Sequence, residues 1–306
     1  MFDHFAVGLT LPQLGEHVSR SAVRSFCERA EAVGFESLWA QEHLFFALEP
    51  SAPYAARPGM PVPQAYRCTM SPLELLAAAA AWTERAVLGT GILVGGYHRP
   101  VELAQRIATL DHLSGGRAVL GLSVGWSKDE HEQMDVAFET RGRRMDELVE
   151  AVLACWGPDP VEFDGEFFRI PPSVIRPKPL QSPHPPLLSG MRSAAGLRRT
   201  AAMFDLWNPA SGSIEQITAT ATAIADMRPA GRAPVQVVQR VFTEPPFVVT
   251  GLAPMTIDQL CEAVAAAKAA GIAHVVVDTG FTTEVASPDD WARFPDRLAP
   301  ILDAAR

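Results

Sequence analysis

Residues Leu88–Trp126 read LGTGILVGGYHRPVELAQRIATLDHLSGGRAVLGLSVGW. The stretch opens on an apolar run and reaches Pro100, which suits a first helical turn. It then breaks at Ser114-Gly115-Gly116-Arg117 and ends in a second apolar run, Ala118–Val124. Two short apolar runs without polar alternation, joined through a helical stretch, predict parallel strands covered on both faces. The pattern continues outward in both directions. Candidate strands are Phe5–Leu11, Ser37–Gln41, Val87–Val94, Ala118–Val124, Pro186–Ser189, Leu206–Asn208, Val235–Phe242 and His274–Thr279. Eight βα units in 306 residues predict an α/β fold, a (β/α)8 TIM barrel formed by residues 1–306 as one domain. A doubly wound sheet fits less well, because Gly8-Leu9-Thr10-Leu11-Pro12 follows the first strand where a G-x-G-x-x-G would be needed.

Helical spacing supports the alternation. Val23, Phe26, Cys27, Ala30 and Val33 form one apolar stripe that Gly34 terminates. Ile257, Leu260, Cys261 and Val264 form another before Gly271, and Trp291, Phe294 and Leu298 mark the last helix. Two segments exceed an ordinary loop: Ala47–Ser71 after strand two, and Gly157–Pro186 before strand five, which holds nine of the 26 prolines. Segments of this length in a compact fold are usually lids or binding loops. Within the second, Val161–Phe168 predicts a hairpin around the Asp164-Gly165 turn.

Composition narrows the function. Acidic residues outnumber basic ones 35 to 26, for a net charge of −9 with no basic stripe, which argues against nucleic-acid binding. The longest apolar run, Leu75–Trp82, falls well short of the roughly 20 residues of a membrane helix. The start, MFDHFAVGLTLP, reads as a cytoplasmic N-terminus rather than a signal peptide. The four cysteines, Cys27, Cys68, Cys155 and Cys261, form no C-x-x-C pair and read as buried free thiols. The chain contains neither H-E-x-x-H nor G-x-x-x-x-G-K-[ST], the signatures of common metalloproteases and NTPases.

A barrel places its active site at the C-terminal ends of its strands. Glu42-His43 follows strand two, and a histidine beside a carboxylate suits acid/base work near neutral pH. Gly190-Met191-Arg192-Ser193 opens a helix, where backbone N–H groups and an arginine suit a phosphate. The glycines in Leu88–Val94 suit either a flat ring against the strand or a tight barrel interior. Leu113–Arg117 lies at the opposite, N-terminal face and reads as structural, as does the charged helix Arg141–Val149. The lysines, Lys128, Lys178 and Lys268, fall in loops or helices, which disfavours an aldolase.

Taken together these motifs resemble the luciferase-like monooxygenase superfamily, most closely its F420-dependent oxidoreductases. The resemblance rests on Leu88–Trp126, on Gly34–Leu44 (GFESLWAQEHL), on Arg141–Glu147 and on the PVEFDGEFFRI and IRPKPLQSPHPPLL segments, in order over residues 5 to about 210. It implies a reduced flavin or the deazaflavin F420 at the mouth of the barrel, with FMN as the alternative cofactor. It also implies a non-proline cis peptide at Gly91-Ile92. Gly91, Ile92, Ser123, Val124, Gly125, Gly190, Met191, Arg192 and Ser193 then match cofactor-binding positions, His43 the acid/base and Glu42 its tuning partner. Tyr54, Tyr66, His98 and Trp126 are expected to shape the substrate pocket. Trp126 stands where the sugar-phosphate dehydrogenases of the family carry a Glu, which argues against that substrate. Met191 replaces a Ser of some flavin members, which disfavours FMN. The resemblance further implies a homodimer, a small-molecule substrate and a flavin or F420 reductase as partner. The expected activity is hydride transfer between F420 and a small organic substrate. The alternatives are FMN-dependent monooxygenation and cofactor binding without turnover.

Overall fold

The computed structural model describes residues 2–209, 211–244 and 254–306. Its central element is a closed parallel barrel. The staves are β1 (Ala6–Thr10), β2 (Ser37–Ala40), β3 (Val87–Thr90) with β4 (Leu93–Val94), β5 (Ala118–Ser123), β8 (Leu187–Ser189), β9 (Leu206–Trp207), β10 (Gln236–Phe242) and β11 (His274–Asp278). Around the ring β1 pairs with β2, β2 with β3, and β5 with β8, and the series continues through β9 and β10 to β11, which returns to β1 at Ala6↔His274. β3 and β4 are one stave in two pieces, since both pair with β5, at Leu88↔Ala118 and at Leu93↔Leu122. The break falls at Gly91-Ile92, whose peptide bond is cis. Across the break the Thr90 hydroxyl stands in for the ladder, donating to the Gly121 carbonyl at 3.0 Å and accepting from the Gly121 N–H at 2.7 Å. The eight staves are those read from the sequence, seven of them trimmed by a residue or two at their ends and the third interrupted at Gly91-Ile92, and the fold is a (β/α)8 TIM barrel.

Small residues let large ones fill the lumen. A Cβ on Gly89 would lie 2.2 Å from Cζ3 of Trp39, so this glycine is required by the barrel interior rather than by a ligand. Gly91 differs: its nearest neighbour, Trp39, would stand at an ordinary 3.5 Å. Trp39 joins Val119, Leu188, Leu206, Val238 and Val276 in the lumen. At the closed end the Trp39 indole donates to Ser37 Oγ at 2.6 Å, Ser37 Oγ bonds His274 Nε2 at 2.7 Å, and Phe2 stacks on the His274 ring at 4.1 Å. Burial with no compensating acid pushes His274 down to about 3, so the ring is neutral.

The helices cover the outside: α1 (Arg20–Val33), α2 (Pro72–Ala80), α3 (Pro100–Ser114), α4 (Lys128–Gln133), α5 (Arg141–Trp156), α6 (Ala194–Met203), α7 (Ile214–Asp226), α8 (Ile257–Ala269), α9 (Pro288–Leu298) and α10 (Pro300–Ala305). The predicted stripe of α1 is buried at Val23, Phe26, Cys27 and Ala30 and half-buried at Val33, Ser19 caps its start through the Ala22 N–H, and Gly34 ends it at φ 116°. None of the described helices is long and apolar enough to cross a membrane.

Both long segments are anchored. The second carries the hairpin β6 (Val161–Asp164) and β7 (Arg169–Ser173). Its turn is longer than an Asp-Gly pair, because Glu147 of α5 collects the N–H groups of Phe167 and Phe168 at 2.6 to 3.0 Å. The fully buried Asp111 of α3 holds the rest through the N–H groups of Leu180 and Gln181 and the Gln181 side-chain amide. Arg117, in the turn read as structural, donates to the carbonyls of Ser114 at 2.6 Å and Thr83 at 2.8 Å. The thiols of Cys27 and Cys155 are buried, but Cys68 is exposed and Cys261 half-buried. Cys68 lies on the first long segment, and Cys261 lies on α8, packed only in part against the core.

Candidate active site at the barrel mouth

β2 ends in an extended segment, so neighbouring side chains point to opposite sides. Glu42 and His43 therefore diverge instead of forming the expected pair. Glu42 turns to the β3–β4 stave, where its carboxylate accepts the Val94 N–H at 2.7 Å and bonds His98 Nε2 at 3.1 Å. His98 is buried by this contact and is not part of an open wall. His43 turns to α4, where Nδ1 meets the Glu130 carboxylate. Glu130 also accepts the Leu44 N–H at 2.9 Å and the Tyr97 hydroxyl at 2.8 Å. Burial alone would raise its carboxyl, but the His43 ring and these donors outweigh it and hold Glu130 below the usual carboxylate range. The other nitrogen of His43, Nε2, is buried and makes no hydrogen bond.

The first long segment folds over this ring as a lid. It contains two short 3-10 turns, Tyr54–Ala56 and Gln64–Arg67. Tyr66 packs edge-on against His43 at 4.3 Å between ring centres, and Trp126 stacks on its other flank at 6.0 Å. Tyr54 meets Trp126 at 5.1 Å and shares a 3.1 Å hydrogen bond with the Tyr66 hydroxyl. Burial raises the pKa of both phenols, so both stay neutral. Of the four residues expected to shape the pocket, Tyr54, Tyr66 and Trp126 thus come together around His43. Phe281, after β11, closes the cluster at 5.5 Å from Tyr66.

Beneath the lid lies a buried charge. Arg240 of β10 pairs with the fully buried Asp278 and donates to Gln41 Oε1 at 2.8 Å. Burial works against the guanidinium, but the Asp278 carboxylate outweighs it and raises its pKa. Gln13 ties the strand ends to the lid, donating to the carbonyls of Gln41 at 2.6 Å and Met70 at 2.7 Å.

The opposite wall is formed by the half-buried Ile92, by Ser123 and Val124, and by Gly190. A Cβ on Gly190 would come within 2.9 Å of Ile92, so the loop after β8 lies close against the broken stave. Gly125, at φ +76°, backs onto Val94 and His131 and shapes the turn below this wall. Met191 is buried, and its carbonyl accepts the Trp207 indole at 2.9 Å, so its side chain is part of the core. Ser193 caps α6 through the Gly196 N–H. The spacing Gly121-Leu122-Ser123-Val124-Gly125 is that of a hydrolase nucleophile elbow. Ser123 Oγ, however, only approaches the Gly190 carbonyl at 3.4 Å, and no histidine bonds it among the described residues. No group of three or more metal-ligating side chains occurs among the described residues.

The luciferase-like monooxygenase family pattern matches residues 1–249. The chain belongs to the luciferase-like monooxygenase family. An uncharacterised Mycobacterium tuberculosis protein is 37% identical over 171 residues, 56% of this chain and 59% of that protein. The FMNH(2)-dependent dimethylsulfone monooxygenase of Pseudomonas putida is 32% identical over 145 residues, 46% of this chain and 40% of that one. The matched stretches thus span less than two thirds of these relatives. An F420-dependent secondary alcohol dehydrogenase, solved with an F420-acetone adduct, superposes with a TM-score of 0.76 at 16% identity, covering 98% of this chain and 99% of that one. The monooxygenase RslO1 of Streptomyces bottropensis gives 0.73 at 21% identity, with 97% and 98% covered. Both share the barrel fold.

Glu130, Arg240, Asp278 and Phe281 escaped the sequence reading. Glu130 sits on a six-residue helix rich in charge, where one more acid carries no signal. Arg240 and Asp278 are charges inside apolar strands, and that interruption was a usable cue, since a buried charge needs a partner.

Proposed function

We propose that this chain is an oxidoreductase that holds a flavin or deazaflavin at the barrel mouth and moves a proton through His43. The observation that carries the reading is the His43 ring, fixed at Nδ1 by Glu130 and left with a buried, unpartnered Nε2 among aromatic side chains. A group so held is an acid/base waiting for a partner atom. The residues present fit a planar redox ring. Ile92, Ser123, Val124 and Gly190 offer a wall of small and apolar surface on the far side of the mouth, and Arg192 and the start of α6 offer a cation and helix N–H groups for a phosphate.

When bound, the reduced cofactor supplies the hydride or electron pair. Everything else falls to the chain. Tyr54, Tyr66, Trp126 and Phe281 keep water from His43, and their neutral, mostly apolar surface favours an uncharged reacting group. Arg240 adds little net charge to that space, because Asp278 neutralises it. Glu130 fixes the His43 ring through Nδ1; it is a positioning residue. Glu42 supports the broken stave through Val94 and His98.

The first reading is hydride transfer with F420. Met191, turned into the core, brings no hydroxyl to a phosphate, which fits this reading better than FMN. The second reading, monooxygenation with reduced FMN and oxygen, has support from the 32% identity to the dimethylsulfone monooxygenase. A separate flavin reductase would then be the partner; a trigonelline monooxygenase of Acinetobacter baylyi, 29% identical over 165 residues (53% of this chain, 40% of that one), is named as an oxygenase component. His43→Ala tests the shared core of both readings. Turnover should fall by about 100-fold or more, the usual contribution of a positioned acid or base, while cofactor affinity changes little. Equal losses in both would make His43 a wall of the site and end the acid/base assignment.

A further inference from the structure

We infer that Tyr97 is a second positioning residue behind His43: its hydroxyl, carried by a turn that Glu42 staples at both ends, holds the Glu130 carboxylate in the orientation in which it meets the His43 ring. What His43 then does rests on the proton-transfer reading above; the hold of Tyr97 on Glu130 does not. Glu130 is buried, and its two oxygens are shared unequally. Oε1 meets His43 Nδ1 and accepts the Leu44 N–H at 2.9 Å. Oε2 accepts one donor among the described residues, the Tyr97 hydroxyl at 2.8 Å. The last torsion of a glutamate is soft, so a carboxylate held at one oxygen can still turn, and one held at both cannot. Without Tyr97, Oε2 would be a buried acceptor with no donor.

Tyr97 is itself held. It ends a 3-10 turn, Gly95–Tyr97, directly after β4. The Glu42 carboxylate takes the Val94 N–H at 2.7 Å on one side of this turn and His98 Nε2 at 3.1 Å on the other. Two glycines let the turn sit close to its neighbours. A Cβ on Gly95 would come within 2.5 Å of Cε of Met145 on α5, and one on Gly96 within 3.3 Å of Nε2 of His131 on α4. The phenol thus reaches α4, which carries Glu130. Glu42 acts on His43 through Tyr97 and Glu130, and not as its neighbour in the sequence.

Burial, and then the charges of Glu130 and Glu42, raise the Tyr97 phenol well above its ordinary range, so it is a fixed donor. The titratable groups bonded to Glu130 are His43 and Tyr97; burial lowers His131, beside it on α4, and Asp129 turns to the Ser51 N–H. The bond from Tyr97 helps to hold Glu130 below the usual carboxylate range against its own burial. Removing the hydroxyl removes a donor to the ionised form only, so Glu130 takes a proton more readily, and His43 then loses its charged partner. Mere loosening of the core acts the other way, because admitted water favours the carboxylate.

The experiment titrates the full chain, isotope-labelled at its glutamate carboxyls, by NMR, with the Glu130 signal assigned by its absence in Glu130→Gln. In Tyr97→Phe the proton affinity of Glu130 should rise roughly tenfold or more, the worth of a hydrogen bond to a charged group. The acid limb of any turnover should move upward with it. If Tyr97→Phe does not fold, fluorotyrosine placed at position 97, a stronger donor of nearly the same shape, should lower the affinity instead. F420 and FMN are titrated into the native chain in parallel. Binding of neither, with the Glu130 shift intact, removes the oxidoreductase reading and leaves the hold of Tyr97 on Glu130 standing. A Glu130 titration that is unchanged in the variant, or that moves as loosening would move it, overturns the inference whether or not a cofactor binds.

Discussion

Replacing Glu130 by Gln or Ala separates what its carboxylate does as a shape from what it does as a charge. Oε1 receives both the His43 Nδ1 contact and the Leu44 N–H, and Oε2 receives the Tyr97 hydroxyl. Glutamine can keep the first two with its carbonyl oxygen. Its amide then faces Tyr97, whose hydroxyl can turn to accept. Every partner stays bonded and only the charge is lost. Bonds to charged groups exceed neutral ones by about 1 kcal/mol each, so Glu130→Gln should cost about 2 to 3 kcal/mol, less what is regained by not burying a carboxylate. Alanine leaves the buried His43 ring and Tyr97 hydroxyl without this acceptor at about 1 to 3 kcal/mol each and should cost more than glutamine. Urea unfolding near pH 7 reads both values.

The pH dependence gives the sign. The Glu130 carboxyl lies below its ordinary range in the folded chain, so on acidification the unfolded chain takes the proton first. Its contribution is complete above the ordinary carboxyl pKa, roughly 4.3, and is lost as pH falls through the folded value. The gap between the native chain and Glu130→Gln should therefore shrink in acid. Equal costs for Gln and Ala, or a gap independent of pH, would refute the charge assignment and leave Glu130 as packing alone.

Three further outcomes are expected. His274 stays neutral in the folded barrel down to about 3 against an ordinary 6.5; the unfolded chain protonates first, so stability should fall by about 1.4 kcal/mol per pH step across that window, and His274→Gln should lose the dependence. Gly89→Ala drives a methyl into Trp39 and should destabilise by roughly 1 to 3 kcal/mol or more, seen as a lower urea midpoint at unchanged slope. Arg240→Met strands the Asp278 charge beneath the lid and should cost about 3 to 5 kcal/mol in the same assay.

The barrel was legible because parallel staves are continuous apolar runs and helices repeat every 3.6 residues, so both signals survive in one sequence. The break in the third stave is not legible in the residues, which read as one continuous run, Val87–Val94; only the family resemblance points to Gly91-Ile92. The side-chain pairing was not legible. Glu42 and His43 adjoin in sequence and invite pairing, yet extended backbone sends them to opposite sides. Their true partners, His98 and Glu130, stand 56 and 87 positions further on and reach them only because the barrel closes. The extended-strand rule could have vetoed the Glu42–His43 pair; nothing local could have named Glu130. The aromatic wall was half legible: Tyr54, Tyr66 and Trp126 follow strand ends, but Phe281 lies beyond the last stave, where only element order was readable.

The most direct test of the central claim is a fluorescence titration of the purified protein with F420 and, in parallel, with FMN at low ionic strength. Saturable micromolar binding of at least one of them is expected, with F420 the tighter, accompanied by quenching of the tryptophan fluorescence to which Trp126 contributes. Binding of neither would contradict it, and the barrel mouth would then carry the family's fold without its chemistry.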